Sequence, residues 1–458
     1  MADAPRESAG VVPLREADAG YEVLWSRRPE GRFLSGFRSF VVGGVDPADA
    51  SPGEGVSAHR ATARREWLEE SGWAEDGRDL EVQRLVPIGD WTSPHWAGPV
   101  YHTEFFALVL DTDEASGCEA RLDPREHADP EWIDPSEAVD RWRRDDVLLS
   151  PPILRILQGL KDGPPDAGKT IDGLGGRPSA LDAEGFQVSG GHFMLPLRSP
   201  TLPPAEYTNS YLVGGQDFVV VDAGSHQQGG RELLLEAVRR RRDRGHRVRG
   251  IVATHHHHDH VAGIQHLQEA TGLPLWAHPE FDALVDGLTV DRMLEDGDRI
   301  GLEDRDLVVL ETPGHAPDHL TLFDETAGRA FVGDLVATQG TIIIDPPKGH
   351  MGDYLESLRR IRKLGCQVLF PAHGAPVTAP EDHLSYYISH RLNRESKVAA
   401  ALRTAGRATP EDLVDQVYDD VDEQVWPLAV RSLTAHLIHL AEEDRARYDD
   451  GAFVWIDS

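Results

Sequence analysis

Short apolar runs punctuate the first 163 residues. EVLW (22–25), FVV (40–42) and FFALVL (105–110) read as strands, set among segments of helical spacing. The stretch KDGPPDAGKTIDGLGGRPSALDAEG (161–185) then loses apolar periodicity and takes on linker composition. From 186 to 385 the strand-like DFVVVDAG, GIVAT, LPLWAH, DLVVLETPG, RAFVGD and QVLFPAHG alternate with helical runs, an α/β pattern. After about 386 the pattern turns helical. One helix runs through RESKVAAALRTAG; Thr409 opens a second, with Pro410 first and Asp412 three residues after the cap. A third aligns Val430, Leu433, Leu437 and Leu440, and Asp450-Gly451 marks a hairpin turn between two short strands. The expected boundaries are 1–163, a linker at 164–185, 186–385, and 386–458 with the build of a small winged helix.

Composition narrows the class. At 458 residues, several domains are expected, and 40% hydrophobic with 27% charged residues is ordinary for a soluble globular chain. No apolar run approaches the roughly 20 residues that span a bilayer. The start, MADAPRESAG, has neither a basic region nor an apolar core, so no secretory signal is expected. Two cysteines, Cys118 and Cys366, fall in different segments, which points to a reducing cytoplasm. With 46 Lys and Arg against 78 Asp and Glu, the net charge of −32 weighs against broad nucleic-acid binding. The densest cationic run, RRRRDRGHRVRG (239–250), reads as a helix end complementing its dipole, with a phosphate patch as the alternative.

Residues 254–260 read THHHHDH and join a strand to a helix. On such a loop, His255 and His257 can bind one metal ion, while Asp259 and His260 project differently and can bind a second. His256 and His258 alternate out of that pattern. One loop cannot complete two sites, and further ligands follow other apolar runs: His315 after LVVLETPG, Asp334 after RAFVG and His373 after QVLFPA. An aspartate placed between two metals can bridge them. His278 and His319 are weaker candidates with structural or supporting roles.

VVVDAG (219–224), THHHHDH, TPGH (312–315), VGD (332–334) and PAHG (371–374) together resemble the metallo-β-lactamase superfamily of metallohydrolases. TLPPAEYTNSYLVGG (201–215), GTIIIDPPKGHMGDYLESL (340–358) and the helical end beginning HRLNRESKV (390–398) are similar to its lactamase-β-like subgroup with a C-terminal winged helix. The resemblance implies a central αββα sandwich holding two zinc ions, with iron or manganese as the alternative, on His255, His257, Asp259, His260, His315, Asp334 and His373. Two zinc ions lower the pKa of a bound water near neutral pH. Asp259 is then expected to orient the nucleophile and pass a proton to the leaving group, and Asp222 to hold the loop.

In the first segment, REWLEESGW (65–73) puts Glu66 and Glu70 four apart on a helix, with Glu69 beside them. Clustered carboxylates need a cation, and oxygen ligands suit magnesium or manganese. Arg65 can pair with Glu69, and Gly72 ends the helix. The segment resembles a Nudix box, and FRSFVVGGVDPADA (37–50), DWTSPHWAGPVYHTEFFAL (90–108), PEWIDPSEAV (130–139) and LLSPPILRIL (148–157) are similar to the coenzyme A diphosphatase type. This implies an N-terminal α/β/α sandwich with Glu66, Glu69 and Glu70 on the metal. The usual box glutamate eight residues before the arginine is Ser57 here, and Glu54 lies three residues too early. Both a working diphosphatase and a non-catalytic binding module are therefore open.

The leading expectation is a cytoplasmic dinuclear zinc hydrolase acting on an acyl thioester of coenzyme A type, a small-molecule substrate, with a Nudix domain that cleaves or binds a nucleoside diphosphate derivative. The alternative is a zinc-dependent endoribonuclease on single-stranded RNA. Charge disfavours it, since residues 386–458 carry 8 Lys and Arg against 14 Asp and Glu, although Arg391, Arg394 and Lys397 could form a local contact.

Overall fold

A computed structural model describes residues 5–18, 20–32, 34–49, 56–94, 100–164, 169–175 and 185–456. Glu54 and much of the expected linker lie outside the described residues. The chain divides into two compact units, 1–196 and 197–458.

The first unit is built on the strand Arg6–Ala17. It pairs antiparallel with Gly20–Arg27 and Val41–Gly44 and parallel with Tyr101–Leu110, which in turn carries Val86–Thr92. Because side chains alternate along a strand, Val12 and Leu14 feed one core and Ala9 and Val11 the other. Helix Ala58–Glu70 fills the second core with Ala63 and Trp67; helices Pro135–Arg143 and Pro151–Gly159 fill the first. The result is an α/β/α sandwich. Ser57 caps the helix Ala58–Glu70, accepting from the Arg60 N–H at 3.2 Å, and Gly72 follows its end at φ +71°.

In the second unit, Tyr207–Val213, Asp217–Val221, Arg247–Val252, Leu275–Ala277 and Arg292–Met293 form neighbouring strands of one sheet. Arg299–Gly301, Asp306–Glu311, Leu320–Asp324, Arg329–Gly333 and Val368–Pro371 form another. The faces meet where Tyr211 packs against Phe331 and Phe370, centroids 5.1 and 5.5 Å away, and donates its hydroxyl to the Pro371 carbonyl at 2.7 Å. Helices Gln228–Asp243 and Ile264–Thr271 flank the first sheet; Met351–Leu364 and Pro380–Ala405 pack on the second.

Helix Pro380–Ala405 crosses residue 386, where the sequence pattern changes. Its Leu384, Tyr387 and Ile388 belong to the sheet's core, while Val398, Ala399 and Leu402 belong to a separate terminal core with Leu413, Leu433 and Leu437. The polar HRLNRES between these two apolar stretches hides the helix's continuity. Helices Pro410–Val417 and Trp426–Glu442 complete the terminal module. Its hairpin Ala446–Asp449 and Ala452–Trp455 turns through Asp450 and Gly451, both at positive φ, and pairs with Arg407–Ala408.

Candidate metal centre

The strand Arg247–Val252 ends just before Thr254, Asp306–Glu311 before His315, Arg329–Gly333 before Asp334 and Val368–Pro371 before His373. His255, His257, His315, Asp334 and His373 thus sit in the first residues after a strand, and Asp259 and His260 follow in the short helix His258–Val261. The structure brings all seven together. His255, His257 and His315 form one group, His255, His260 and Asp334 a second, and Asp259, His260 and His373 a third.

In the first group, His255 Nε2 lies 3.0 Å and His315 Nε2 2.9 Å from His257 Nδ1. Metal–nitrogen bonds of about 2.0–2.1 Å in a tetrahedron set ligands roughly 3.3 Å apart. Burial, with neighbouring imidazoles, holds His255 and His315 below the usual histidine range and pushes His257 down to about 2. All three are neutral near pH 7 and offer lone pairs. Asp334 Oδ2 lies 3.4 Å from His315 Nε2, while its Oδ1 lies 3.2 Å from His373 Nε2 and 3.5 Å from His260 Nε2. One carboxylate therefore faces both groups. Asp334 Oδ1 and His260 Nε2 are buried with no aligned hydrogen bond, an arrangement that a cation between them satisfies.

The outer nitrogens are fixed in turn. His315 Nδ1 donates to the Ile343 carbonyl at 2.8 Å and His373 Nδ1 to the Tyr207 carbonyl at 2.9 Å, which turns each Nε2 inward. His260 Nδ1 meets Asp222 Oδ2 at 2.8 Å, and Asp222 also accepts from the Thr254 N–H and hydroxyl at 2.8 and 2.9 Å. Burial opposes charge on His260, yet Asp222 and Asp334 hold it well above the usual range. Thr208 Oγ1 lies 3.4 Å from Asp259 Oδ2. His256 bonds Asp318 at 2.7 Å through Nδ1 and accepts from Lys348 at 3.2 Å, His258 is exposed, and His278 faces Glu311 at 3.5 Å. His319 is pushed down to about 3 by burial; its Nε2 accepts from the Asp334 N–H at 3.1 Å, which steadies the Asp334 backbone.

In the first unit, Glu66 and Glu70 line a cavity of about 500 Å³ with Arg28, Arg38, Trp91, Phe105 and His127. A Cβ on Gly43 would lie 1.9 Å from the Glu66 carboxyl, so glycine there lets the carboxylate reach the strand. Burial pushes both Glu66 and Glu70 up to about 7. His127 Nε2 meets Glu70 at 2.5 Å, and its Nδ1 meets the Ser26 hydroxyl at 2.6 Å. Glu69 turns away, half exposed and 3.3 Å from Arg65. Glu66 and Glu70 form no three-ligand group with another His, Cys, Asp or Glu among the described residues. A magnesium ion held by two carboxylates and a substrate's phosphates fits this pair. Sequence spacing missed Asp49. It joins Glu66 and Glu69 in pairing Arg65, with Oδ2 at 2.9 Å from Arg65 Nη2.

Several basic residues read from the sequence as surface cations are paired, some buried and some at the surface. Arg391 and Arg394 are buried. The first donates to the Ile342 carbonyl; the second pairs Asp420 at 2.7 and 3.0 Å over the Tyr418 ring. Lys397 pairs Asp419 at 2.9 Å. In the run 239–250, Arg241 donates to the Gly214 carbonyl, and Arg247 and Arg249 pair Asp217. Cys118 and Cys366 are buried and free. Among the described residues no helix is long and apolar enough to cross a membrane.

Residues 4–151 match the NUDIX domain model, 203–373 the metallo-beta-lactamase superfamily and 409–455 the beta-lactamase associated winged helix domain. The chain is similar to the lactamase-like protein adaB of Aspergillus niger, 27% identical over 53% of this chain and 77% of that protein. It is likewise similar to the atrochrysone carboxyl ACP thioesterase nsrC of Aspergillus novofumigatus, 27% identical over 52% and 74%. Its fold is shared with a metallo-beta-lactamase family protein of Thermus thermophilus (TM-score 0.51, 21% identity, 59% of this chain and all of that one). A beta-lactamase domain protein of Burkholderia ambifaria shares it too (TM-score 0.52, 21% identity, 61% and 95%).

Proposed function

Because the chain joins a Nudix domain, a metallo-β-lactamase-fold hydrolase domain and the winged helix associated with it, we propose that it is a dinuclear zinc thioesterase acting on a small acyl thioester of coenzyme A type. The observation that carries the metal assignment is Asp334, whose two oxygens face the two histidine groups while Oδ1 and His260 Nε2 lack aligned partners. His255, His257 and His315 would hold one zinc; Asp259, His260 and His373 the other, with Asp334 between. Bound there, the ions supply a Lewis acid and a water acidic enough to react near neutral pH.

The chain's own residues do the rest. Burial keeps the first three imidazoles unprotonated, so they bind without first losing a proton. Asp259, steadied by Thr208, orients the attacking water and carries its proton toward the departing sulfur. His319 holds the Asp334 backbone in place. The thioester assignment rests on relatives named as ACP thioesterases, whose substrate shares the thioester bond. The Nudix cavity, with Arg28 and Arg38 near Glu66 and Glu70 and aromatic walls at Trp91 and Phe105, suits a nucleoside diphosphate derivative that it binds or cleaves with magnesium. Cytoplasmic residence belongs to the same reading. RNA has less support, because Arg391 and Arg394 are buried within the fold and Lys397 is paired with Asp419 at the surface.

Replacing His255 and His257 together by alanine is expected to reduce thioester turnover to background while the chain stays folded. Turnover equal to the parent's, by release of free thiol, would contradict the assignment.

A further inference from the structure

We propose that the first unit carries a third transition-metal site, apart from the zinc centre and the Nudix carboxylates, made by Glu7, His59 and His102 on the strand Arg6–Ala17, the helix Ala58–Glu70 and the strand Tyr101–Leu110. Their ligand atoms lie within 4.8 Å of one another. Glu7 and His102 are direct partners in the parallel pairing of the two strands, so backbone register places them side by side. His59 enters from the first turn of the helix packed on that face. Glu7 Oε2 lies 2.7 Å from His102 Nδ1 and 2.8 Å from His59 Nε2, and the rings cross edge-on 5.7 Å apart.

What surrounds the three argues for a metal. The far nitrogen of each ring faces another carboxylate: His102 Nε2 lies 3.3 Å from Asp90 Oδ2, and His59 Nδ1 lies 3.7 Å from Glu104 Oε2. Asp90 and Glu104 are themselves paired across neighbouring strands. A carboxylate hydrogen-bonded behind an imidazole, as Asp90 is behind His102, fixes its tautomer and points the other nitrogen at a shared centre, the usual outer support of a metal-binding histidine; Glu104 lies near His59 without bonding it. Three carboxylates around two imidazoles leave the cluster short of positive charge. The side chains of Glu7, His59 and His102 are 47%, 21% and 32% exposed, so an ion can enter and keep a water as its remaining ligand.

Two imidazoles and one carboxylate select zinc, or nickel and cobalt, over magnesium and calcium. Binding displaces the ring protons facing Glu7 into solvent and gives both lone pairs to the ion. The ion would tie the start of the helix to the central strands, and the same helix carries Glu66 and Glu70 into the cavity at its other end. The role is that of a clip on the element that bears the Nudix carboxylates.

The test uses the full chain, stripped with chelator, titrated with zinc and counted by plasma mass spectrometry after gel filtration. His59→Ala with His102→Ala is expected to lose one zinc equivalent and keep thioester hydrolysis. His255→Ala with His257→Ala is expected to keep that equivalent. Zinc should also raise the melting temperature of the second variant and leave the first unmoved by this site. Glu7→Gln, which keeps the shape and one acceptor oxygen, covers the case in which the double alanine variant fails to fold; its zinc Kd at this site should rise about 10-fold or more. Unchanged zinc count and affinity in the folded His59, His102 variant, or in Glu7→Gln, would overturn the proposal and leave a cluster joined by hydrogen bonds alone.

Discussion

Asp222 occupies φ +56°, a left-handed backbone that costs a non-glycine residue on the order of 1–3 kcal/mol. The bonds its carboxylate accepts from Thr254 and His260 offset that strain and hold the histidine loop to the neighbouring strand. Asp222→Ala is expected to lower zinc affinity and hydrolysis about 10–100-fold, read by metal titration and turnover; parent-like zinc affinity would show that the loop holds itself. Asp49 plays a comparable part for Arg65. Its replacement by alanine removes one of several acceptors of a half-buried guanidinium and should destabilise the first unit by roughly 1 kcal/mol in urea unfolding. The zinc-centre candidates were legible because the run 254–260, His315, Asp334 and His373 each follow an apolar strand that announces them. Asp49, His127 and Thr208 were not, since each meets its partner through folding across 16, 57 or 51 positions with no local spacing to mark it.

At the scale of elements, the loop bearing His315 is pressed against the helix Met351–Leu364. Gly314 sits at φ +125°, and a Cβ there would meet the Tyr354 backbone nitrogen at 2.2 Å. Gly314→Ala should therefore displace His315 and cut zinc content, while a full complement of zinc would show that the loop yields freely. The terminal module depends on Glu395 of the helix Pro380–Ala405. Burial would raise this carboxyl, but hydrogen bonds from His436 and His439 outweigh it and pull it from 4.5 down to about 2. A lowered carboxyl pKa stabilises above its unfolded value, and that contribution is lost as pH falls from about 4.5 toward 2. The loss is on the order of 2–3 kcal/mol, and Glu395→Gln should abolish most of it in acid unfolding followed by circular dichroism. The hairpin and the capping box at Thr409 were readable from a few adjacent residues. The full span of the long helix was not, because its two apolar stripes serve different cores and polar side chains separate them.

For the whole molecule, a net charge of −32 and the burial of Arg391 and Arg394 weigh against holding a polyanion. Short single-stranded RNA is expected neither to shift on a gel nor to be cut; chelator-sensitive cleavage would favour the nuclease reading. On the proposed reading the two sites differ in donor chemistry, nitrogen-rich at the histidine centre and carboxylate at Glu66 and Glu70, so zinc and magnesium should govern separate products. The most direct measurement is mass spectrometry of an acyl-coenzyme A incubated with the zinc- and magnesium-supplied protein and with its His255→Ala, His257→Ala variant. The expected result is free coenzyme A from the parent and none from the variant. Intact acyl-coenzyme A with both proteins, or equal release by both, would contradict a zinc thioesterase.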